Sequence, residues 1–172
     1  MSEPKLPEPW LRGTGTELHA VPRALVHALE LAGEDLARWC DGLTEEELNA
    51  RPAGLAPVAF HLRHIARSID RLLTYAEGRA LDEWQLAALK TELDASAARA
   101  EVFAEFTSGL AAAIQRVRAI DTARLEEARS VGKRQLPTTV GGLLVHVADH
   151  TQRHVGQAIT TAKVVTAQGC TP

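Results

Sequence analysis

Two histidines four residues apart are the side chains of this sequence best suited to do chemistry. His150 and His154 lie in a segment whose apolar pattern predicts a helix. Four residues of helix rise about 6 Å, close to one turn, so both imidazoles leave the same face. Two neighbouring imidazoles supply half of the ligands that a transition-metal ion needs. His146 lies one turn earlier on the same stripe and is a candidate for a further ligand or a supporting residue.

A metal centre needs at least one more ligand from another element, because two protein ligands seldom complete a site. A second predicted helix carries both His61 and His64. Its apolar stripe passes closer to His61, which favours that residue for a site at the centre of a helical core. A cleft at the edge would instead use the flank of the helix, where His64 lies with Ser68. The pattern alone leaves both alternatives open.

Length and composition exclude several classes of protein. The chain has 172 residues, enough for one domain with its own core. A net charge of -3 gives no sign of a nucleic-acid partner, which usually demands a basic surface. Cys40 and Cys170 cannot build a disulfide framework, and we read them as free thiols in a reducing compartment. No signal peptide or membrane-spanning run is evident. We therefore expect a cytoplasmic protein with neither a membrane nor a nucleic-acid partner.

The periodicity predicts an all-α fold, an up-down four-helix bundle with short extra helices. An irregular or hairpin segment is expected before the last helix, with alternation at residues 129–136. We expect an amino-terminal tail at residues 1–15, the bundle at 16–166 and a carboxy-terminal tail at 167–172. The four long helices share apolar steps of three and four residues, and they are predicted at about residues 16–41, 57–78, 94–120 and 138–166.

Two short segments resemble the motifs of a known family. Residues 64–68 read HIARS, like the pattern His-apolar-Ala-x-Ser, and residues 150–157 read HTQRHVGQ, like His-x3-His followed by Gly-Gln. The order and lengths of the predicted helices agree over about residues 16–166. The chain thus resembles the DinB-like, or YfiT-like, superfamily of bacterial four-helix bundles. Arg67 departs from the pattern, because an acidic residue is common at its position.

The resemblance implies one divalent metal ion, nickel, zinc or iron, bound by three histidines. Carried over by position, these ligands are His64, His150 and His154, which selects His64 over His61. The superfamily that this chain resembles includes enzymes that use low-molecular-weight thiols such as mycothiol and bacillithiol. The resemblance therefore implies a thiol-dependent S-transferase or isomerase that acts on a small-molecule substrate. It also implies a homodimer.

Other residues near the motifs are candidates for supporting roles. Ser68 and Gln157 could hydrogen-bond to the ligating histidines. Arg153 could hold a carboxylate of a thiol or substrate, although such arginines are more often solvated. No catalytic residue is singled out by the sequence.

Two alternative functions remain open at the level of sequence. A metal-dependent hydrolase would need a general base, and Asp149 points about 100° away from His150 on a helix. A non-enzymatic metal-binding stress or interaction protein would hold a structural ion. A fourth ligand from His61 or His146 would close the site and favour that last alternative.

Overall fold

The computed structural model describes residues 6–92 and 98–169, and these residues are mostly helical. The predicted all-α class is therefore confirmed, with one small β-hairpin added. Cys170 and the start of the third predicted long helix, residues 94–97, lie outside the described residues. In chain order the elements are α1 Ala20–Cys40, α2 Glu45–Asn49, α3 Val58–Ala76, α4 Glu83–Ala88, α5 Arg99–Arg118, β1 Ala128–Val131, β2 Leu136–Thr139 and α6 Val140–Gly169.

One apolar core joins the four long helices, because α1 and α3 each pack against both α5 and α6. The apolar stripe predicted for the second long helix is the face of α3 that enters this core. Each large aliphatic side chain removed from water contributes roughly 1.5–3 kcal/mol, so this layer fixes how α3 lies against α6. Fully buried members of the layer include Leu62, Ile65, Ile69 and Leu73 of α3, Leu25, Leu29 and Leu36 of α1, and Leu144 and Val147 of α6.

Local sequence signals set several helix ends. Thr44 and Glu47 have the Thr-x-x-Glu spacing of a capping box. The Thr44 hydroxyl accepts from the Glu47 amide and the Glu47 carboxylate accepts from the Thr44 amide, so both hydrogen bonds of the motif are present. The first long helix begins at Ala20 rather than near residue 16, so Pro22 occupies its first turn, where a missing amide donor costs least. The last long helix continues to Gly169, three residues beyond its predicted end.

The hairpin predicted before the last helix is present. Its strands pair antiparallel, with Ala128 opposite Thr139 and Val131 opposite Leu136. The Arg129 guanidinium donates from Nε to the Ala76 carbonyl oxygen at 2.8 Å. That contact satisfies a carbonyl at the end of α3, where helical hydrogen bonds run out. The hairpin thus fixes the carboxy-terminal end of the helix that carries His61 and His64.

The segment before α1 docks on the body. Arg12 donates to both carboxylate oxygens of Glu34, at 2.6 and 2.7 Å, and His27 Nε2 lies 3.1 Å from the Thr14 carbonyl oxygen. Residues 12–14, predicted as part of a tail, therefore follow the surface of α1. Among the described residues, no helix has both the length and the hydropathy that a bilayer span requires.

A glycine in α5 allows this helix to approach α3 closely at Ala66. A Cβ added to Gly109 would lie 2.9 Å from the Ala66 Cβ. We expect Gly109→Ala to lower the free energy of unfolding, because overpacking costs about 1–3 kcal/mol and outweighs the roughly 0.5–1 kcal/mol that alanine gains in a helix. Urea unfolding measures the change.

Gly156→Ala is the matched control, because a Cβ at Gly156 in α6 meets nothing within 4 Å. This variant should be neutral or more stable than the parent chain. If Gly109→Ala were stabilised as much as Gly156→Ala, the close approach of α3 and α5 would be incorrect.

Candidate metal centre

Three imidazoles meet between α3 and α6. His64 Nε2 lies 3.3 Å from His150 Nε2, and the His154 ring centroid lies 4.4 Å from that of His64 and 4.6 Å from that of His150. One potential ligand atom from each residue falls within 4.8 Å of the other two. The structure thus brings together the three histidines that the resemblance selected, and this group could hold a metal ion.

The spacing suits a small dication. Metal–nitrogen bonds of about 2.0–2.1 Å with tetrahedral angles place two ligand nitrogens about 3.3 Å apart. The two Nε2 atoms of His64 and His150 already have this separation. This pair of nitrogens is therefore already spaced for an ion, and the potential ligand atom of His154 lies within 4.8 Å of one ligand atom on each of the other two residues.

The imidazoles of His150 and His154 are held in the neutral form that coordinates metals. Burial, together with the nearby His154 and His64 rings, lowers the pKa of His150 to about 4. Burial likewise lowers the pKa of His154 to about 4, with a smaller contribution from His64. Neither ring needs to lose a proton before it binds a metal at neutral pH.

A buried carboxylate fixes the orientation of His64. Glu92 Oε2 lies 2.7 Å from His64 Nδ1, and Arg71 donates to Glu92 Oε1 at 2.7 Å. Burial raises the pKa of Glu92, but the hydrogen bonds from His64 and Arg71 outweigh this and lower it overall. An ionised carboxylate only accepts hydrogen bonds, so His64 carries its proton on Nδ1. Nε2 of His64 is the ring nitrogen that faces the other histidines.

His154 and His150 have different partners at Nδ1, which we call the outer nitrogen of each ring. His61 Nδ1 lies 3.0 Å from His154 Nδ1, so one of these nitrogens must carry a proton. Ser68 Oγ lies 3.5 Å from His150 Nδ1, which is long for a hydrogen bond. In both ligand candidates Nδ1 faces a neighbouring side chain, and Nε2 is the nitrogen left for an ion.

His61 is buried as its place on the apolar stripe predicts, with an exposure of 4% against 18% for the His64 side chain. Burial, together with the His154 and His64 rings, lowers the pKa of His61 to about 4. His61 therefore supports the His154 ring from within the core. His64 occupies the flank of α3, where the cluster forms.

The remaining candidates lie at the margin of the cluster. His146 is exposed, with its ring centroid 5.5 Å from that of His150. Arg153 is more than half exposed and forms an ion pair with Asp149 at 2.5 Å. Gln157 is exposed, and its side chain makes no hydrogen bond to another described residue.

A cavity of about 480 Å³ lies beside the cluster and brings three of these candidates together. His61, Arg153 and Gln157 line it, with Thr160 and Leu55. Its volume is within the range of small-molecule sites. The His61 ring also contacts His154, so His61 lies between the cavity and the group of three histidines.

Sequence reasoning missed Glu92 and Arg71. Glu92 follows a short helix without any local pattern that marks it, and its partner His64 is 28 residues earlier. One signal was available: Arg71 lies seven residues, two helical turns, after His64 and so shares its face. A carboxylate that contacts both His64 and Arg71 could therefore have been sought in the sequence, but only the tertiary fold shows that Glu92 is this carboxylate.

Arg67, the departure from the family pattern, has a role that sequence reasoning did not anticipate. Its side chain is 10% exposed, and its guanidinium donates to Glu105 and, at 2.9 Å each, to the Ala88 carbonyl oxygen and the Thr91 hydroxyl. It is therefore neither a solvated arginine nor a free carboxylate-binding group. It anchors the segment that carries Glu92.

Comparison with known protein families finds a match for this chain. The family model of the DinB superfamily matches residues 28–158, well over half of the chain, and the match includes all three histidines of the cluster. The chain belongs to the DinB superfamily. No curated protein matches this DinB superfamily chain.

The stability of the metal-free protein should depend on pH through the buried histidines. Their folded pKa values near 4 lie below the ordinary value of 6.5, so the unfolded chain binds more protons at acid pH. The free energy of unfolding is therefore expected to fall as the pH drops from about 6.5 to about 4. Urea unfolding of chelator-treated protein across this window measures the slope.

His150→Gln should flatten that slope, whereas His19→Gln, which replaces an exposed histidine outside the cluster, should leave it unchanged. Equal slopes in both variants would show that the His150 ring is not held neutral by its surroundings.

Proposed function

We propose that this DinB superfamily protein is a metal- and low-molecular-weight-thiol-dependent S-transferase acting on a small-molecule electrophile. One observation carries the proposal. Three imidazoles from two helices meet at metal-ligand spacing, and the group that could hold the ion contains no carboxylate. Three neutral nitrogen ligands are typical of catalytic rather than structural sites, because the remaining position takes water or substrate.

His64, His150 and His154 are the proposed ligands, each through Nε2. The supporting contacts are those on the outer nitrogens: Glu92 beside His64 and His61 beside His154. Imidazole ligands suit nickel, zinc and iron, which are the metals we propose. When bound, such a dication lowers the pKa of a thiol and so supplies the nucleophile that thiol transfer requires.

The chain's own residues would hold and orient the two small molecules. The cavity beside His61 is the proposed substrate space, and Arg153 at its edge is the proposed partner of a carboxylate. Its pair with Asp149 is exposed, and such pairs contribute roughly 0–1 kcal/mol, so exchange for a ligand carboxylate costs little. The thiol sulfur attacks an electrophilic carbon, and the new carbon–sulfur bond replaces the bond to the leaving group.

The two alternatives are less well supported. Hydrolysis requires a general base, but Asp149 is paired with Arg153, and Glu92 faces Nδ1 of His64 and is held by Arg71. A closed structural site requires a fourth ligand. His61 lies on the Nδ1 side of His154 and His146 is exposed, so neither joins the group.

We also infer the arrangement of the whole protein. The pairwise packing of α1 and α3 against α5 and α6 supports an up-down four-helix bundle. The proposed functional form is a homodimer, as the family resemblance implies.

The proposed ligands can be tested by metal analysis. The purified protein is expected to contain about one nickel, zinc or iron ion per chain, and His64→Ala, His150→Ala and His154→Ala should each lose most of it because two imidazoles rarely hold an ion. Atomic emission spectrometry of dialysed protein measures the content.

His19→Ala is the control and should retain the metal, since His19 precedes α1 and is outside the cluster. Full metal content in His64→Ala together with His154→Ala would refute the assigned ligands.

The thiol step can be tested separately in cobalt-substituted protein. Addition of cysteine or glutathione should produce a sulfur-to-cobalt charge-transfer absorption, because a thiol that reaches the ion loses its proton. S-methylcysteine is the matched control, since it lacks the ionisable thiol and should leave the spectrum in that region unchanged. If the protein binds cobalt through the three histidines but no thiol produces the band, the transferase proposal fails while the metal site stands.

A further inference from the structure

Glu92 is a buried carboxylate that joins two side chains of α3. Only 8% of the residue is exposed. Its Oε2 lies 2.7 Å from His64 Nδ1, and its Oε1 accepts from Arg71 Nη1 at 2.7 Å. A buried carboxylate is costly unless it is paired and hydrogen-bonded, and these two contacts satisfy both of its oxygens.

A row of polar contacts determines where Glu92 lies. Arg67 donates to the Ala88 carbonyl oxygen and to Thr91, at 2.9 Å each. One turn further along α3, Gln85 Nε2 donates to Asp70 Oδ2 at 2.5 Å and to Thr74 Oγ1 at 3.0 Å. The segment from α4 to Glu92 is thus attached along one face of α3, and the carboxylate is delivered to His64 rather than to solvent.

The arrangement has a direct effect on His64. A carboxylate paired with an arginine can only accept a hydrogen bond, so Nδ1 of His64 must donate. This fixes the tautomer, leaves the lone pair on Nε2, and holds the ring in one orientation. It is Nε2 of His64 that lies 3.3 Å from His150 Nε2.

We propose that Glu92, clamped by Arg71, is a positioning residue that sets the metal affinity of the centre by orienting His64. This inference rests on the metal site of the proposed function. A carboxylate on the outer nitrogen of a ligating histidine raises the basicity of the ligand and keeps the ring aligned, and loss of such partners typically weakens metal binding about 10–100-fold.

The test compares metal affinities in competition with a chelator. Glu92→Ala is expected to bind zinc about 10–100-fold more weakly than the parent chain. Glu92→Gln keeps an oxygen that accepts from Nδ1 but loses the charge, so it should fall between the two. Because Glu92→Ala leaves the Arg71 charge without this partner and could destabilise the fold, Glu92→Gln decides the result if the alanine variant does not fold.

Glu77→Gln is the matched control. Glu77 is also a partly buried carboxylate at α3 that accepts from arginines, including Arg116 Nε at 2.7 Å, but its contacts do not involve the histidine cluster. Its variant should bind zinc as the parent chain does. Circular dichroism of all variants without metal checks that the fold is retained.

A double-mutant cycle separates positioning from a general structural effect. If Glu92 acts through His64, then Glu92→Gln should weaken zinc binding in the parent chain but should leave unchanged the weak residual zinc affinity of a His64→Ala background, measured by direct titration at high zinc concentration. A loss of equal size in both backgrounds would overturn the inference, and so would an affinity of Glu92→Gln equal to that of Glu77→Gln. A parent chain that binds no metal would overturn the proposed function and this inference together.

Discussion

The packing of α3 against α6 is the constraint on which the candidate site depends. The apolar stripe of α3 is driven into the core by side chains such as Leu62 and Ile65, each fully buried. Once that face is fixed, the flank that carries His64 must lie against the face of α6 that carries His150 and His154. The imidazoles meet because the leucines and isoleucines beside them are buried, not because the imidazoles attract one another.

Such a meeting is unfavourable without a partner for the nitrogens. Burial and neighbouring rings lower the pKa of His150 and His154 to about 4, because these surroundings disfavour charge on the imidazoles. Polar groups in an apolar setting need hydrogen bonds or ligands. The outer nitrogens find Glu92 and His61, whereas the inner nitrogens face one another. A divalent cation would satisfy the inner nitrogens, and this is the physical reason to propose a metal centre here.

Part of this was predictable from sequence, since it depends on local rules. The helical period located the long helices, the capping box at Thr44 located α2, and the four-residue spacing placed His150 and His154 on one face. The periodicity also predicted the burial of His61 correctly. It did not decide between His61 and His64, because the pattern measures how deep a side chain lies and the cluster forms at the flank of the stripe. Only the resemblance pointed to His64.

The parts that sequence could not provide depend on contacts between distant elements. Glu92, Arg67 and Arg71 form a polar layer between α3 and the segment after α4, and no periodicity encodes which carboxylate faces which cation. Arg67 is an example. In the sequence it is a departure from the family motif, whereas in the fold it holds the segment that brings Glu92 to His64. Gln157, chosen for its place in the motif, is instead exposed at the cavity.

X-ray absorption spectroscopy of the protein loaded with its metal tests the central claim most directly. The account predicts a coordination shell that contains three imidazole rings and at least one further light atom, with a sulfur replacing that atom when a thiol is added. A shell of four imidazoles, or one with fewer than three, would contradict it, since the ion would then be held by a different set of residues from His64, His150 and His154.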